Sequence, residues 1–400
     1  MDEKKDFVMV TVSGPDQPGI TAAFSKILVE NHVEVVDIEQ ASLQDFLGLS
    51  FLLDMSGAKQ SKDGVLKDLL FEASRLGLNM NFRVFSEKEM KARNNKNLFV
   101  LTYFGNTQAL AEISSILGEE NANIEMISNL TRHCASCVEL MIDVNGVKNL
   151  GSLKKRVLGK SHDLNIDLAL QKMEAYRKNK RLVFFDMDST LVDMEIIDEM
   201  AKRAGVLREV SRITEKAMRG DLDFEEALRQ RVALLKGLKV KELEKIRKEM
   251  KLSEGAEELV ATLKRLGFKL GVVSGGFHYF VDFLKETLGL DFAFANDLEI
   301  KKGTLTGKIL GKVIDNAYKA KIVNQVSSEE GVLLDQTVAI GDGANDVLML
   351  GQAGLGIAYN AKERLRRVAS VSVGRTRLRN ILYLLGISEE EIDCTEIRER

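Results

Sequence analysis

The segment RLVFFDMDSTLVD, residues 181–193, drives an apolar run into two aspartates spaced two apart. A run apolar on both faces is stable in a strand covered on both sides, the situation of a parallel sheet flanked by helices. Two more β-branched runs, FKLGVVSGG at 268–276 and QTVAIGDG at 336–343, also end in glycine. Helical patterns separate them. Over 256–266, Ala256, Leu259, Val260, Leu263 and Leu266 share one face. The expected fold is α/β, an open parallel sheet with its ligand groups beyond the carboxyl ends of the strands. Residues 193–250 show helical patterns and no good strand, so they are expected to form a cap inserted above that sheet.

A weak internal repeat fills the first 170 residues. FVMVTVSGPDQPGITAAFSKILVENHVEVVDIE from Phe7 aligns with LFVLTYFGNTQALAEISSILGEENANIEMIS from Leu98, Thr11 matching Thr102 and Gly14 matching Gly105. Each copy runs strand, glycine turn, amphipathic helix, strand. Runs at 49–54 and 137–144 extend the pattern as strands, and 62–76 and 148–158 as helices. The result is two ferredoxin-like β-α-β-β-α-β units. The polar, basic stretch 171–181 reads as a helical connector. Expected boundaries are 1–90 and 91–172 for the two units, then 173–400, with a core at 180–192 and 251–390 around the cap.

A net charge of −3 gives no reason to expect a nucleic-acid or anionic-membrane partner. No apolar run approaches the ~18 residues of a membrane-spanning helix, and the charged start MDEKKDF lacks the apolar centre of a signal peptide. Three cysteines in 400 residues suit a reducing cytosol, so a cytoplasmic location is expected. The CxxC spacing in HCASC, 133–137, has no second pair and no thioredoxin-like context, so Cys134 and Cys137 read as structural. The basic runs RKNKR and RLRR read as solvated faces.

Three strand ends carry polar groups: Asp186 with Asp188, then Ser274-Gly275-Gly276, then Asp342 with Asn345 and Asp346. Carboxylates without His or Cys favour a hard cation, and Mg2+ is the one expected. Asp186 and Asp342 are the best side-chain ligands, with the Asp188 carbonyl as a third. Ser274 and the amides of Gly275 and Gly276 would donate to phosphate oxygens, and Lys319 is the candidate cation for the remaining charge.

DMDSTLV, VVSGG, the lysine of AYKAK and GDGAND, in that order, resemble the four motifs of the haloacid dehalogenase superfamily over about 181–385. The resemblance implies a Rossmann-like sheet and a phosphatase or phosphotransferase. It makes Asp186 a nucleophile forming an aspartyl-phosphate and Asp188 the acid–base. Asp342 would hold Mg2+ with Asp346 supporting it, Lys319 would steady the phosphoenzyme, and Ser274 and Asn345 would bind phosphoryl oxygens. Beyond the motifs, DSTLVDMEIIDEMAKRAG, FEEALRQRVALLKGL and LGLDFAFAN are similar to the phosphoserine phosphatase family. That likeness assigns Glu195 to the substrate ammonium and Arg231 to its carboxylate. It implies hydrolysis of phosphoserine as the last step of serine biosynthesis. Two alternatives stay open: another small-molecule phosphomonoesterase or phosphotransferase, and an amino-acid sensor with a vestigial catalytic half.

The N-terminal repeats resemble ACT domains, amino-acid-sensing modules that commonly pair, which implies a homodimer. The loop GPDQPGI holds both prolines of the chain, and Gly14, Asp16 and Gly19 are its candidate effector residues, with L-serine as the candidate ligand. The second copy, FGNTQAL, is two residues shorter and lacks both prolines.

Overall fold

The computed structural model describes residues 6–86, 96–132, 137–361, 365, 371–374 and 377–397. His133, Cys134 and most of the RLRR run lie outside them. The chain divides into two compact units, Met1–Lys96 and Asn97–Arg400.

The first unit runs β1 (Asp6–Pro15), α1 (Ile20–Glu30), β2 (Glu34–Leu43), β3 (Phe46–Asp54), α2 (Lys62–Arg75) and β4 (Asn79–Ser86). The strands form an antiparallel sheet in the order β2-β3-β1-β4. Alternation builds its core: Val8, Val10 and Val12 of β1 and Leu47, Leu49, Phe51 and Leu53 of β3 point to one face and bury Phe24, Leu28, Val65 and Leu69 of the helices.

In the second unit, β5 (Leu98–Phe104), α3 (Thr107–Glu119), β6 (Asn123–Asn129), β7 (Cys137–Asp143), α4 (Leu150–Asp163) and β8 (Asp167–Lys172) repeat that order as β8-β5-β7-β6. Asn106 and Asn149 cap its two helices through their side-chain oxygens.

The chain then enters β9 (Leu182–Phe185), whose four residues are all buried. Four helices follow over the residues expected to form a cap: α5 (Ile196–Ala204), α6 (Leu207–Arg219), α7 (Phe224–Leu234) and α8 (Val240–Glu249). Next come α9 (Ala256–Arg265), β10 (Lys269–Phe277), α10 (His278–Leu288), β11 (Phe292–Lys301), β12 (Thr304–Leu310), α11 (Asn316–Glu329), β13 (Thr337–Gly341), α12 (Val347–Gln352), β14 (Leu355–Tyr359) and β15 (Val371–Val373). Two short helices, α13 (Ile381–Leu384) and α14 (Glu389–Ile397), close the described chain.

Strands β11, β10, β9, β13, β14 and β15 are parallel, and β12 returns antiparallel on β11. β15 pairs antiparallel with β8, so the second ferredoxin-like sheet and the parallel sheet are one sheet of 11 strands. Gln171 Nε2 donates to the Leu384 carbonyl at 3.0 Å, and Phe104 packs on Tyr383, so the C-terminal segment covers that junction.

The connector differs from expectation. β8 runs through Lys172, and the residues after it form turns, with Arg177 N donating to Glu174 O and Asn179 N to Tyr176 O. Arg177 turns inward to pair with Glu139 of β7, both side chains buried. That pairing fixes the segment as a turn where basic composition alone suggested a solvated helix.

Candidate active site

Asp186 follows the last residue of β9, and its amide donates to the Ile340 carbonyl of β13 at 2.8 Å. The strand pairing thus carries it to the carboxyl edge beside Asp342. Its side chain is 5% exposed. Lys319, on the first turns of α11, donates from Nζ to Asp186 Oδ1 and to Asp346 Oδ1, both at 2.7 Å. Asp346 Oδ2 accepts from Gly343 N at 3.0 Å. Gly341 makes room for this arrangement: a Cβ there would stand 2.6 Å from the Asp346 carboxyl carbon.

Asp186, Asp342 and Asp346 each offer an oxygen within 4.8 Å of the other two. The donors are all hard oxygens, and these three carboxylates outnumber the single buried ammonium of Lys319. A hard divalent cation suits both facts. Asp346 stands close enough to be a ligand itself, beyond the supporting place expected of it.

Burial opposes the charge on Lys319, but Asp186 and Asp346 more than offset it and hold the ammonium above its ordinary range. Asp186 is pushed well above the usual carboxylate range by burial and then by the charge of Asp346, with Lys319 opposing. Lys319 is the charged partner of the cluster, because two carboxylates act on it together.

Asp188 Oδ1 accepts from Ile196 N, the first residue of α5, at 3.0 Å. Burial, then the charge of Glu195, pushes Asp188 up to about 7. Its Oδ2 lies against the loop 274–276: a Cβ on Gly276 would sit 3.2 Å from it and 3.0 Å from Met187 Cε. Ser274 is fully buried and its Oγ accepts from Gly276 N at 2.8 Å. The Gly276 amide is engaged by Ser274 here. With Oγ accepting that bond, the Ser274 hydroxyl proton is left to donate elsewhere. Gly275 admits the Phe224 ring, 2.9 Å from where its Cβ would be. Asn345 lies in the 3-10 turn Ala344–Asp346, between Asp342 and Asp346.

The two recognition candidates are on the cap. Glu195 precedes α5 without capping it and accepts from Ser189 Oγ at 3.0 Å. Arg231 is half-buried on α7, donates to the Ala227 carbonyl and to Thr214 Oγ1, and makes no ion pair among the described residues. Burial lowers its pKa, while Asp198, Glu195 and Asp188 favour its charge. Its guanidinium therefore stays a half-buried cation without an ion-pair partner among the described residues.

Two site residues escaped the sequence reading. Ser189 has φ 55°, a left-handed conformation uncommon outside glycine, and its backbone turn aims Oγ at Glu195. Asn296 donates from Nδ2 to the Gly275 and Gly276 carbonyls. Ser189 had a signal, its place inside the DxDST run. Asn296 had only its polarity at the end of an apolar run.

In the first unit, the loop 14–19 leads into α1 through Gly19 at φ 96°, with no side-chain cap. Asp16 Oδ2 accepts from Ser42 Oγ at 2.6 Å. In the second unit, Asn106 occupies the corresponding amides of Gln108 and Ala109.

A haloacid dehalogenase-like hydrolase family matches residues 180–354, and an ACT domain family matches 6–83. The chain is 39% identical to a phosphoserine phosphatase of Streptomyces coelicolor over 392 residues, 97% of this chain and 94% of that one. It is 36% identical to one of Mycobacterium tuberculosis over 396 residues, covering 97% and 95%. Among solved structures, a probable phosphoserine phosphatase from Vibrio cholerae, in its unliganded form, superposes with a TM-score of 0.59 at 33% identity, covering 75% of this chain and 88% of that one. With near-complete coverage on both sides, and with an ACT domain ahead of a haloacid dehalogenase-like hydrolase, the chain belongs to the phosphoserine phosphatase family.

Proposed function

We propose that the protein hydrolyses O-phospho-L-serine to L-serine and phosphate through a phosphoaspartyl intermediate on Asp186. The observation that carries this is the buried Lys319 ammonium, 2.7 Å from both Asp186 and Asp346 at the carboxyl edge of the sheet. Lys319 takes Asp186 Oδ1 and so leaves Oδ2 for attack on phosphorus. As that O–P bond forms, the bond from phosphorus to the serine oxygen breaks. Asp188 delivers its proton to the leaving alkoxide. In the second half, Asp188 takes a proton from water, whose oxygen attacks phosphorus and frees the Asp186 carboxylate with release of phosphate.

Asp186, Asp342 and the Asp188 carbonyl would hold Mg2+, with Asp346 beside it. When bound, the cation offsets the repulsion between a carboxylate nucleophile and an anionic ester. Ser274 and Asn345 bind phosphoryl oxygens, with Lys319 opposite. Glu195 receives the substrate ammonium and Arg231 its carboxylate.

The same reading makes this the closing step of serine biosynthesis, in the cytoplasm. No helix among the described residues is long and apolar enough to cross a membrane. L-Serine is the candidate effector at Gly14, Asp16 and Gly19, supported by the α1 amides that lack a side-chain cap. Homodimer formation through the first unit is supported by Val35 and Ile38 of β2 and Phe82 and Val84 of β4, all exposed on its outer strands.

The deciding experiment is phosphate release from L-phosphoserine with Mg2+, beside an aryl phosphate and an alcohol acceptor, then repeated with L-serine. Preference for the aryl ester, or transfer to the alcohol, would favour another phosphatase or phosphotransferase. No phosphate release from any ester would favour a sensor.

A further inference from the structure

We infer that Asn296 is a positioning residue for phosphoryl transfer, holding the loop 274–276 and the lead-in to Lys319 in one fixed relation. The inference rests on the phosphatase reading above.

β10 and β11 pair in register to Val273 and Phe294, and pairing resumes at Phe277 and Asn296. From Val273 to Phe277 is four steps and from Phe294 to Asn296 two, so β10 carries two extra residues in this stretch. The interrupted ladder leaves carbonyls in a buried region that must find donors. Asn296, 1% exposed, supplies them: Nδ2 donates to Gly275 O at 2.9 Å and Gly276 O at 3.2 Å. Its Oδ1 accepts from Ile314 N at 2.8 Å.

Ile314 immediately precedes Asp315, whose side chain caps α11 by accepting from Tyr318 N at 2.7 Å. Lys319 is the next residue. One carboxamide thus braces the phosphate loop with its donors and the lysine helix with its acceptor. A carboxylate has no donor for the two carbonyls, and a hydroxyl has one. The Ser274 hydroxyl depends on this brace, since Gly276 N fixes Ser274 Oγ and Asn296 fixes the Gly276 carbonyl. Asp188 shares the dependence through its close approach to Gly276. Asn296 itself is placed to act through these groups.

Asn296→Asp and Asn296→Ser separate this role from a general contribution to folding, each assayed well below its own unfolding midpoint. Both should lower kcat about 10²-fold on phosphoserine and on an aryl phosphate alike, as a misplaced reactive geometry does. The phosphoserine KM should stay within about threefold, because the amino-acid end is held by the cap. Inhibition by vanadate should weaken in step with kcat, while competitive inhibition by L-serine is unchanged. Serine replaces aspartate as the informative variant where the buried carboxylate prevents folding. Near-normal kcat and vanadate affinity would overturn the inference, as would equal weakening of vanadate and serine. If the wild type cleaves the aryl ester and leaves phosphoserine intact, the substrate reading fails, and the aryl ester with vanadate still tests Asn296.

Discussion

Glu139→Ala should be among the most destabilising single changes outside the active site. Glu139 of β7 and Arg177 of the connector form an ion pair with side chains 8% and 3% exposed. Arg177 Nε has no hydrogen-bond partner among the described residues, so Glu139 carries most of what satisfies the guanidinium. Deleting one member of such a pair leaves a buried charge uncompensated, at about 3–5 kcal/mol. For a unit of this size, each kcal/mol lowers the unfolding midpoint by roughly 2 °C, so a fall of about 6–10 °C is expected. Arg177→Met should cost a similar amount by leaving the carboxylate unpaired. The double variant Glu139→Leu with Arg177→Met removes both charges, and replacing a whole buried pair by apolar residues is often nearly neutral. Scanning calorimetry on wild type, Glu139→Leu, Arg177→Met and this double variant closes the cycle, and the coupling energy should exceed about 3 kcal/mol, since the double costs less than either single. A midpoint for Glu139→Ala within about 2 °C of wild type, or a double variant as unstable as the sum of the singles, would refute the reasoning.

A chain beginning at residue 175 removes β8, bares the edge of β15 and orphans Arg177, so it should be poorly soluble or unfold early, whereas one beginning at residue 97 keeps the 11-stranded sheet whole and should retain turnover. Light scattering and phosphate release distinguish the two. Arg231→Ala should lose about 10- to 150-fold in kcat/KM on phosphoserine, the worth of a hydrogen bond to a charged group, and little on an aryl phosphate lacking a carboxylate; equal losses would sink the recognition role. Burial and the neighbouring Glu139 push the Cys137 thiol pKa up, so its thiolate is scarce and iodoacetamide should label the exposed Cys394 and spare Cys137 in peptide mass spectra.

The strand ends were legible because a parallel sheet imposes an unbroken apolar run and then a polar loop, and Leu182–Phe185 and Thr337–Gly341 obey it. The β11–β12 hairpin went unread although its turn was written plainly. Lys302 and Gly303 both take positive φ, 50° and 75°, as a two-residue hairpin turn requires. The union of β8 with β15 had no local signal, since the partners lie some 200 residues apart and either strand alone is compatible with an edge. Arg177 misled the reading for a related reason: its basic neighbourhood suggested solvent, and only its distant partner Glu139 draws it inside.

On the proposed roles, core and cap would divide the labour, and Asp188 is where they meet. The groups that would handle phosphorus, Asp186, Ser274, Lys319, Asn345 and the acidic cluster, all belong to the core sheet and its loops. Glu195 and Arg231 belong to the cap, which enters and leaves the core through 191–194 and 250–253, joined by Asp193 N to Lys251 O and Ser253 N to Leu191 O. Asp188 Oδ1 accepts the amide of Ile196, the first residue of the first cap helix, while Ser189 next to it donates to Glu195. A cap that swings away must break the Asp188 bond or carry the 186–194 loop with it. Either movement disturbs the residue that would hand a proton to the leaving oxygen. On the proposed roles, amino-acid recognition by the cap and proton delivery by the core would be mechanically linked, and that linkage would favour cleavage of an ester whose ammonium and carboxylate hold the cap down over one that offers phosphate alone.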